Sequence, residues 1–386
     1  VVRRRVVTVA ASDDSAAVSR PGEYEYVFPA IRGVQAGRPY YVTMWPLRLI
    51  PKLFLFDSEE LPPEMRAQRT LNKARVPEMA RYIVENPESY IFSALTASAN
   101  AEVRFEPFVS EGGAADRVGK LTVPMDARFV INDGQHRRAA IARALEDNPD
   151  LGDETIAIVL FIDVGLSRSQ QMFADLNRHA IRPSRSIGVL YDHRDPMSEI
   201  AKQAVLRSAF YRDLTEMETS NLAARSRKLF TLSAFYTADR ALLDDVKVDG
   251  LGESIDLATS YWERVAKQFP SWGQVHEGKV SAGEVRKDFI HSHGIVLHAL
   301  GKVGNALLRS SRSPAWWERA LRKLSDIDWH RSNSAVWEGR ATIGGKVSKG
   351  ASNVLLTTAY IRGVLGLPLP PEEQRADHAF ARGEIK

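Results

Sequence analysis

The stretch that most constrains this chain is Phe129-Val130-Ile131-Asn132-Asp133-Gly134-Gln135-His136-Arg137-Arg138. Phe129 to Ile131 is an apolar run that reads as a buried strand. Asn132-Asp133-Gly134 has turn chemistry, and Arg138 to Leu145 is built from strong helix formers. Strand, glycine turn and helix in that order present free backbone N–H groups at a helix N-terminus, where the dipole favours an anion. Gly134 permits close approach of backbone or ligand, and Gln135 can hydrogen-bond a phosphate or a base. His136 can donate a hydrogen bond or move a proton near neutral pH, and Arg137 offers a planar fork for phosphate. Asp133 fits less simply, because a carboxylate repels phosphate unless a metal such as Mg²⁺ lies between them; its alternative role is to cap the helix. The residues alone leave open an ordinary strand-to-helix turn with two exposed basic side chains, since short glycine turns are common.

The surrounding pattern is mixed α/β. Residues 1–20 lack periodicity and read as a mobile tail. Glu23 to Phe28, Tyr40 to Trp45, Tyr90 to Ala97, Val103 to Phe108 and Lys120 to Val123 read as strands, and Glu78 to Glu85 as a helix opened by Pro77. Thr155 to Asp163 is almost wholly apolar and suits a central strand. Ser167 to Asn177 reads as a helix with Ser167 as its N-cap. Arg66, Arg69, Lys73 and Arg75 carry no acid among them, and the first three share a helical face that either repels itself or meets an anion. Arg182 and Arg185 flank a serine-rich turn that opens the next helix, another phosphate-friendly arrangement.

Beyond about Met197 helical segments dominate: Ser198 to Ala209, Ser220 to Leu243, Ser254 to Lys267, Val285 to Leu308, Pro314 to Leu324 and Ala351 to Leu365. The reading is therefore an α/β domain over residues 21–195 and an α-helical domain over 196–386, with the boundary near Asp195-Pro196. Arg225, Arg227 and Lys228 form one basic cluster. Arg319, Arg322 and Lys323 form another beside Trp316 and Trp317, although tryptophans at such spacing are more often core. Gly344 to Gly350 fails as a phosphate-binding Walker loop, because Val347 stands where Ser or Thr must bind the metal; it reads as a flexible basic loop with Arg340, Lys346 and Lys349. His291, His293 and His298 read as one helix and make a poor metal set.

Composition narrows the chemistry. Of 386 residues none is Cys, which excludes a disulfide scaffold, Cys-ligated metals and thiol catalysis. Lys+Arg 52 against Asp+Glu 48 gives a net charge of +4, so any basic surface must come from clustering. No apolar run approaches a transmembrane length, and the basic N-terminal stretch has too short an apolar core for a signal peptide, so a cytoplasmic protein is expected.

The D-G-Q-H-R run resembles the signature of DGQHR-domain proteins, and more closely that of the DndB family of DNA phosphorothioation systems. The segments Arg66 to Arg75, Gln171 to Arg178, Gly188 to Asp195 and Ala224 to Thr231 are similar to DndB as well, and the likeness runs from about Pro29 to about Leu367. The order of elements resembles the ParB/sulfiredoxin fold, a small mixed sheet with helices on it, whose members place nucleotide phosphate at the equivalent turn. Sulfiredoxin has a catalytic Cys directly before His-Arg; here Gln135 stands in its place, which rules out that reductase chemistry. ParB proteins carry an Asn and Arg near nucleotide and metal, and Asn177 and Arg178 fall where that motif would lie, with a different spelling.

The resemblance implies a DNA-binding transcriptional repressor of the phosphorothioation genes. Duplex DNA at their promoter and other proteins of the system are the expected partners, no cofactor is required for DNA binding, and the oligomeric state is open. Arg66, Arg69, Lys73, Arg75, Arg182, Arg185, Arg225, Arg227 and Lys228 would hold phosphates, with Arg225 to Thr231 as first choice for a recognition helix. The alternative is an NTPase using ATP or CTP with Mg²⁺. There Asp133 or Asn177 would hold the metal, Arg137 would clamp phosphate, His136 would polarise or carry a proton, and Gly134, Gln135 and Arg178 would complete the nucleotide site. A DNA nickase centred on Asp133, His136 and Arg137 is a third reading, thin for two-metal chemistry.

Overall fold

The computed structural model describes residues 2–3, 24–54, 73–109, 112–163, 168–178, 183–310 and 313–384. The chain forms two compact units, Val1–Ile181 and Arg182–Lys386.

The first unit is built on a mixed sheet. Its strands are β1 (Val2–Arg3), β2 (Glu25–Gln35), β3 (Arg38–Pro46), β4 (Leu95–Ala99), β5 (Arg104–Pro107), β6 (Val118–Pro124), β7 (Phe129–Asp133) and β8 (Thr155–Ile162). They run in the order β5-β6-β2-β3-β8-β4-β7, with β1 on β2. Only β4 and β8 pair in parallel; the other ladders are antiparallel. The apolar run from Thr155 is thus an interior strand, flanked by β3 and β4. Trp45, Phe54 and Phe129 pack together under the sheet, with ring centroids 5.2 to 5.9 Å apart. Helices α1 (Ile50–Leu53), α2 (Val76–Glu85), α3 (Gln135–Asp147) and α4 (Ser169–Arg178) complete the unit, with α2 packed on α3 and α4 against β7. The strand expected from Tyr90 begins only at Leu95, because Tyr90 and Phe92 turn aside to pack edge to face. Beyond Val2–Arg3, residues 1–20 lie outside the described residues, as does Ser167.

The second unit is helical. Its opening helix is α5 (Arg185–Tyr191), and the reason it belongs here rather than to the sheet is specific. The Ser186 hydroxyl donates to the Thr219 carbonyl at 2.9 Å, and the Ser186 amide donates to Ser220 Oγ at 3.0 Å. The sequence boundary at Asp195-Pro196 instead marks the start of α6 (Pro196–Arg207), where Asp195 caps the helix through the Met197 amide at 3.0 Å. There follow α7 (Ala209–Leu214), the short parallel ladder β9 (Thr215–Glu216) with β10 (Phe230–Thr231), α8 (Leu232–Leu242), α9 (Gly250–Ala266) and α10 (Pro270–His276). The remaining elements are α11 (Ala282–Asp288), α12 (Gly294–Ser310), α13 (Pro314–Leu321), α14 (Ser334–Trp337), the hairpin β11 (Thr342–Ile343) and β12 (Lys346–Val347), α15 (Ala351–Leu365) and α16 (Pro371–Ala381). One core joins them, with Trp262, Trp272, Trp317 and Trp337 fully buried.

Four expectations change here. Residues 220–229 are not helical; Arg286 takes the carbonyls of Leu222, Ala223, Ala224 and Ser226 at 2.9 to 3.3 Å, groups a helix would have used itself. Val285 to Leu308 is two helices, α11 and α12. The chain breaks at 289–293, where the Ile290 amide donates to the Trp329 carbonyl at 2.9 Å. Pro270 to His276, left outside the helical segments read from the sequence, forms α10. The basic loop near Gly344 is a tight hairpin: Gly344 and Gly345 both have positive φ, and Glu338 accepts from both amides. Arg340 does not share that surface, since its guanidinium lies 4.3 Å over the Phe380 ring.

Candidate functional site

At the D-G-Q-H-R turn, strand β7 runs on through Asp133, so the turn is Gly134 alone, with φ +105°. That left-handed conformation favours glycine, and a Cβ there would lie 2.4 Å from Leu95 Cδ2. Asn132 is not a turn residue. It is fully buried, donating from Nδ2 to Ser98 Oγ at 2.6 Å and accepting from Ser169 Oγ at 2.7 Å, which ties β7 to β4 and α4. Asp133 does not cap α3. Its Oδ2 accepts from Arg137 Nη2 at 2.7 Å, and the same nitrogen reaches the Ala94 carbonyl at 3.2 Å. The carboxylate that sat awkwardly beside a phosphate site is thus matched, one helical turn away, by the guanidinium expected to clamp the phosphate. Arg138 points elsewhere: Nε and Nη2 donate to the carbonyls of Phe54 and Pro51 at 3.0 and 3.2 Å, and burial lowers its pKa. Gln135 and His136 are half-buried in the first turn of α3, whose N-cap Gly134 offers no side-chain bond.

The fit of a metal to this turn follows from its donors. Asp133 supplies one carboxylate, already engaged by Arg137, and no group of three His, Asp or Glu residues suited to a metal exists among the described residues. Asn177 and Arg178 close the last turn of α4. His291 and His293 are not a metal pair. Nδ1 of His291 accepts from Trp272 Nε1 at 2.8 Å, and burial pushes its pKa down to about 3. His293 Nε2 meets the Arg286 carbonyl at 2.8 Å.

The expected DNA-contacting cations are scattered. Arg66, Arg69 and Arg182 lie outside the described residues. Lys73 and Arg75 form a 3-10 turn, Lys73–Arg75, leading into α2, with Arg75 exposed. Arg185 is exposed at the start of α5, 5.5 Å over the Tyr236 ring. Arg225, Arg227 and Lys228 occupy the irregular stretch before β10, so Arg225 to Thr231 is not a recognition helix. Lys228 Nζ is turned to the Asp213 carbonyl at 2.8 Å. Of the second basic cluster, Trp317 is buried and Trp316 packs against the core, leaving Arg319, Arg322 and Lys323 as an exposed face.

Arg225 and Arg227 have company that the sequence does not reveal. They edge a cleft of about 1260 Å³ in the helical unit, whose walls also carry Lys279, Arg286, Lys287, Arg331 and Lys349. Its one carboxylate among the described residues, Glu284, is occupied in a capping box with Ser281, whose amide and hydroxyl reach it at 3.1 and 2.7 Å. Arg286 holds four carbonyls of the 222–226 loop and so fixes the backbone that presents Arg225 and Arg227. These cations come from five separate stretches of chain, and only folding brings them together.

A profile of the DndB family, described as DNA-sulfur modification-associated, matches residues 28–368, nearly the whole chain. The chain belongs to the DndB family. Membership ties it to the DNA sulfur modification system and spans both units, the sheet with its D-G-Q-H-R turn and the helical unit with its cleft. No curated protein matches the chain, and no solved structure does. No helix among the described residues is long and apolar enough to cross a membrane.

Proposed function

We propose that this DndB protein is a DNA-binding regulator, a transcriptional repressor of the phosphorothioation genes, and that the cleft of its helical unit receives the DNA backbone. The observation that carries the reading is the cleft's charge: Arg225, Arg227, Lys287, Arg331 and Lys349, with Lys279 paired to Glu277 at 2.5 Å, around one already occupied lining carboxylate. A concentration of cations with little opposing charge draws in a polyanion and releases its counterions. The cleft is also larger than the roughly 300–1,000 Å³ usual for small-molecule pockets. Its partner is the promoter duplex of the modification genes, its setting the cytoplasm, and other proteins of the system are further partners. Base readout is unassigned, since the stretch after Arg225 is not helical. A repressor should prefer DNA from upstream of the modification genes over random duplex by roughly 1,000-fold or more at physiological salt. Competition binding tests this, and equal affinity for both would sink the repressor role.

A second reading keeps the turn as a nucleotide site for ATP or CTP with Mg²⁺ in a ParB/sulfiredoxin-style fold. It is favoured by one observation, the α3 N-terminus behind a left-handed glycine with no side-chain cap. In that case Arg137 must exchange Asp133 for a phosphate oxygen, freeing Asp133 for the metal. Mg²⁺-dependent phosphate release that vanishes in Arg137→Ala would support it; release unchanged in that variant would remove it.

A further inference from the structure

The cleft has an inner end with chemistry of its own. Helix α12 (Gly294–Ser310), among the longest in the molecule, begins there. The amides of His293, Val296 and Leu297 find backbone acceptors, at Ile290 and His293, but those of Gly294 and Ile295 have none among the described residues. A helix start with open amides is not by itself a site, so a second feature matters. Ser292, just before this start, is only 4% exposed, lines the cleft, and its Oγ has no hydrogen-bond partner among the described residues. A buried hydroxyl left unpartnered costs free energy, unless a ligand completes it.

Cations converge on the same point. Lys349 Nζ lies 3.3 Å from where a Cβ on Gly294 would stand, so the absence of a side chain there gives the ammonium its place. Arg331 is held by the carbonyls of Gly345 and Lys287 at 2.9 and 3.4 Å. The neighbouring His293 senses them: burial lowers its pKa to about 4, and the charges of Arg331, Lys349 and Arg286 push it the same way. A neutral histidine beside three cations leaves a surplus of positive charge, with no ion pair to Arg331, Lys349 or Arg286 among the described residues.

We infer that the inner end of the cleft is a phosphoryl-binding subsite, in which the amides of Gly294 and Ile295, Ser292 Oγ, Lys349 Nζ and the Arg331 guanidinium hold one phosphate group of a nucleic acid or a nucleotide. The subsite lies in the cleft assigned above to DNA but does not depend on that assignment, because the helix start and the buried hydroxyl would recognise a phosphoryl group from either source.

The test uses inorganic phosphate as probe on the full chain, reading thermal unfolding against phosphate at ionic strength matched with chloride. A subsite gives a saturable rise that chloride does not give, whereas general salting-out by phosphate does not saturate and is the same in every variant. Lys349→Met, on an exposed side chain, and Ser292→Ala, which removes an unpartnered hydroxyl, should each fold normally in chloride. Each should weaken phosphate binding about tenfold, the loss expected for one hydrogen bond to a charged group. Gly294→Ala should do the same by displacing the Lys349 ammonium, while Arg225→Ala with Arg227→Ala should retain phosphate binding. Displacement of phosphate by a short duplex would identify the DNA backbone as the source, and displacement by ATP or CTP a nucleotide. The inference is overturned by a phosphate effect that never saturates, by Lys349→Met binding phosphate like the parent, or by bound phosphate that neither duplex nor nucleotide displaces. The DNA reading stands or falls separately, on duplex binding through Arg225 and Arg227.

Discussion

The D-G-Q-H-R turn and the basic cleft are both rich in arginine, yet they use it in opposite ways. At the turn the charge is consumed internally: Arg137 bonds Asp133 and the Ala94 carbonyl, and Arg138 bonds the carbonyls of Phe54 and Pro51. In the cleft, Arg286 and Arg331 are spent on carbonyls in this fashion, and Arg286 fixes the loop from which Arg225 and Arg227 project without an ion-pair partner among the described residues. A cationic motif close in sequence can therefore be architecture, while a cationic surface assembled from distant stretches keeps its charge available. Substitutions at the turn should act first on folding, and those in the cleft on binding.

The largest effect should come from Gly134→Val. Its Cβ would sit 2.4 Å from Leu95 Cδ2, in a backbone with φ +105° that valine disfavours. Strain and overpacking together should cost about 2–6 kcal/mol, measured by chemical denaturation. A Gly134→Val protein as stable as the parent would break the architectural reading of the turn.

Next in size is a pH effect in the helical unit, which separates its internal charge from its surface charge. Burial pushes Asp239 up to about 7, while its Oδ1 accepts from Trp262 Nε1 at 2.6 Å. Because the folded value is raised above the unfolded one, this penalty is absent below about pH 4 and grows as pH rises to about 7. His291 and His293 are held down at about 3 and about 4, so their contribution is intact above about pH 6.5 and is lost as pH falls. Between about pH 4 and 6 the two histidines outweigh the single aspartate, and stability should rise with pH. Asp239→Asn should steepen that rise by about one proton, read from denaturation midpoints at several pH values. An unchanged slope would show that Asp239 does not titrate in this range.

Arg137→Ala should be milder, costing about 1–2 kcal/mol for one hydrogen bond and a half-exposed ion pair. A double-mutant cycle with Asp133→Ala should return a coupling of about 0.5–1 kcal/mol. Zero coupling would mean that the pair does not hold in solution, and that Arg137 is available to a ligand after all.

How much of this was legible beforehand divides along the same line. The strand, glycine and helix of the turn follow from local pattern, because a buried β-run, a φ-permissive residue and helix formers act over a few neighbours. The Asp133–Arg137 pair was also within reach, since i,i+4 charges on a helix start are a local signal. So were the Ser281/Glu284 capping box and the Pro371-Glu372-Glu373 start of α16. The buried Ser98–Asn132–Ser169 chain was not, because it joins residues tens of positions apart and any of the three reads as a loop residue alone. Ser220 to Leu229 misled for a similar reason: its composition permits helix, and Arg286, about sixty residues on, claims the carbonyls. The cleft was illegible as a unit, since Lys279, Arg331 and Lys349 are individually ordinary surface cations and only the packing of α8, α11 and α12 sets them around one space.

The central claim is that the cleft, and not the turn, carries the DNA-facing charge. It is tested most directly by duplex binding as a function of salt, from ~50 to ~200 mM, for the parent, Arg225→Ala/Arg227→Ala, and Arg137→Ala. The double variant should keep its stability, weaken binding to all sequences alike, and shallow the slope of log K against log salt by about two. Arg137→Ala, still folded, should leave the slope unchanged. A slope that is untouched by the double variant but falls in Arg137→Ala would contradict the account and move the DNA contact to the turn.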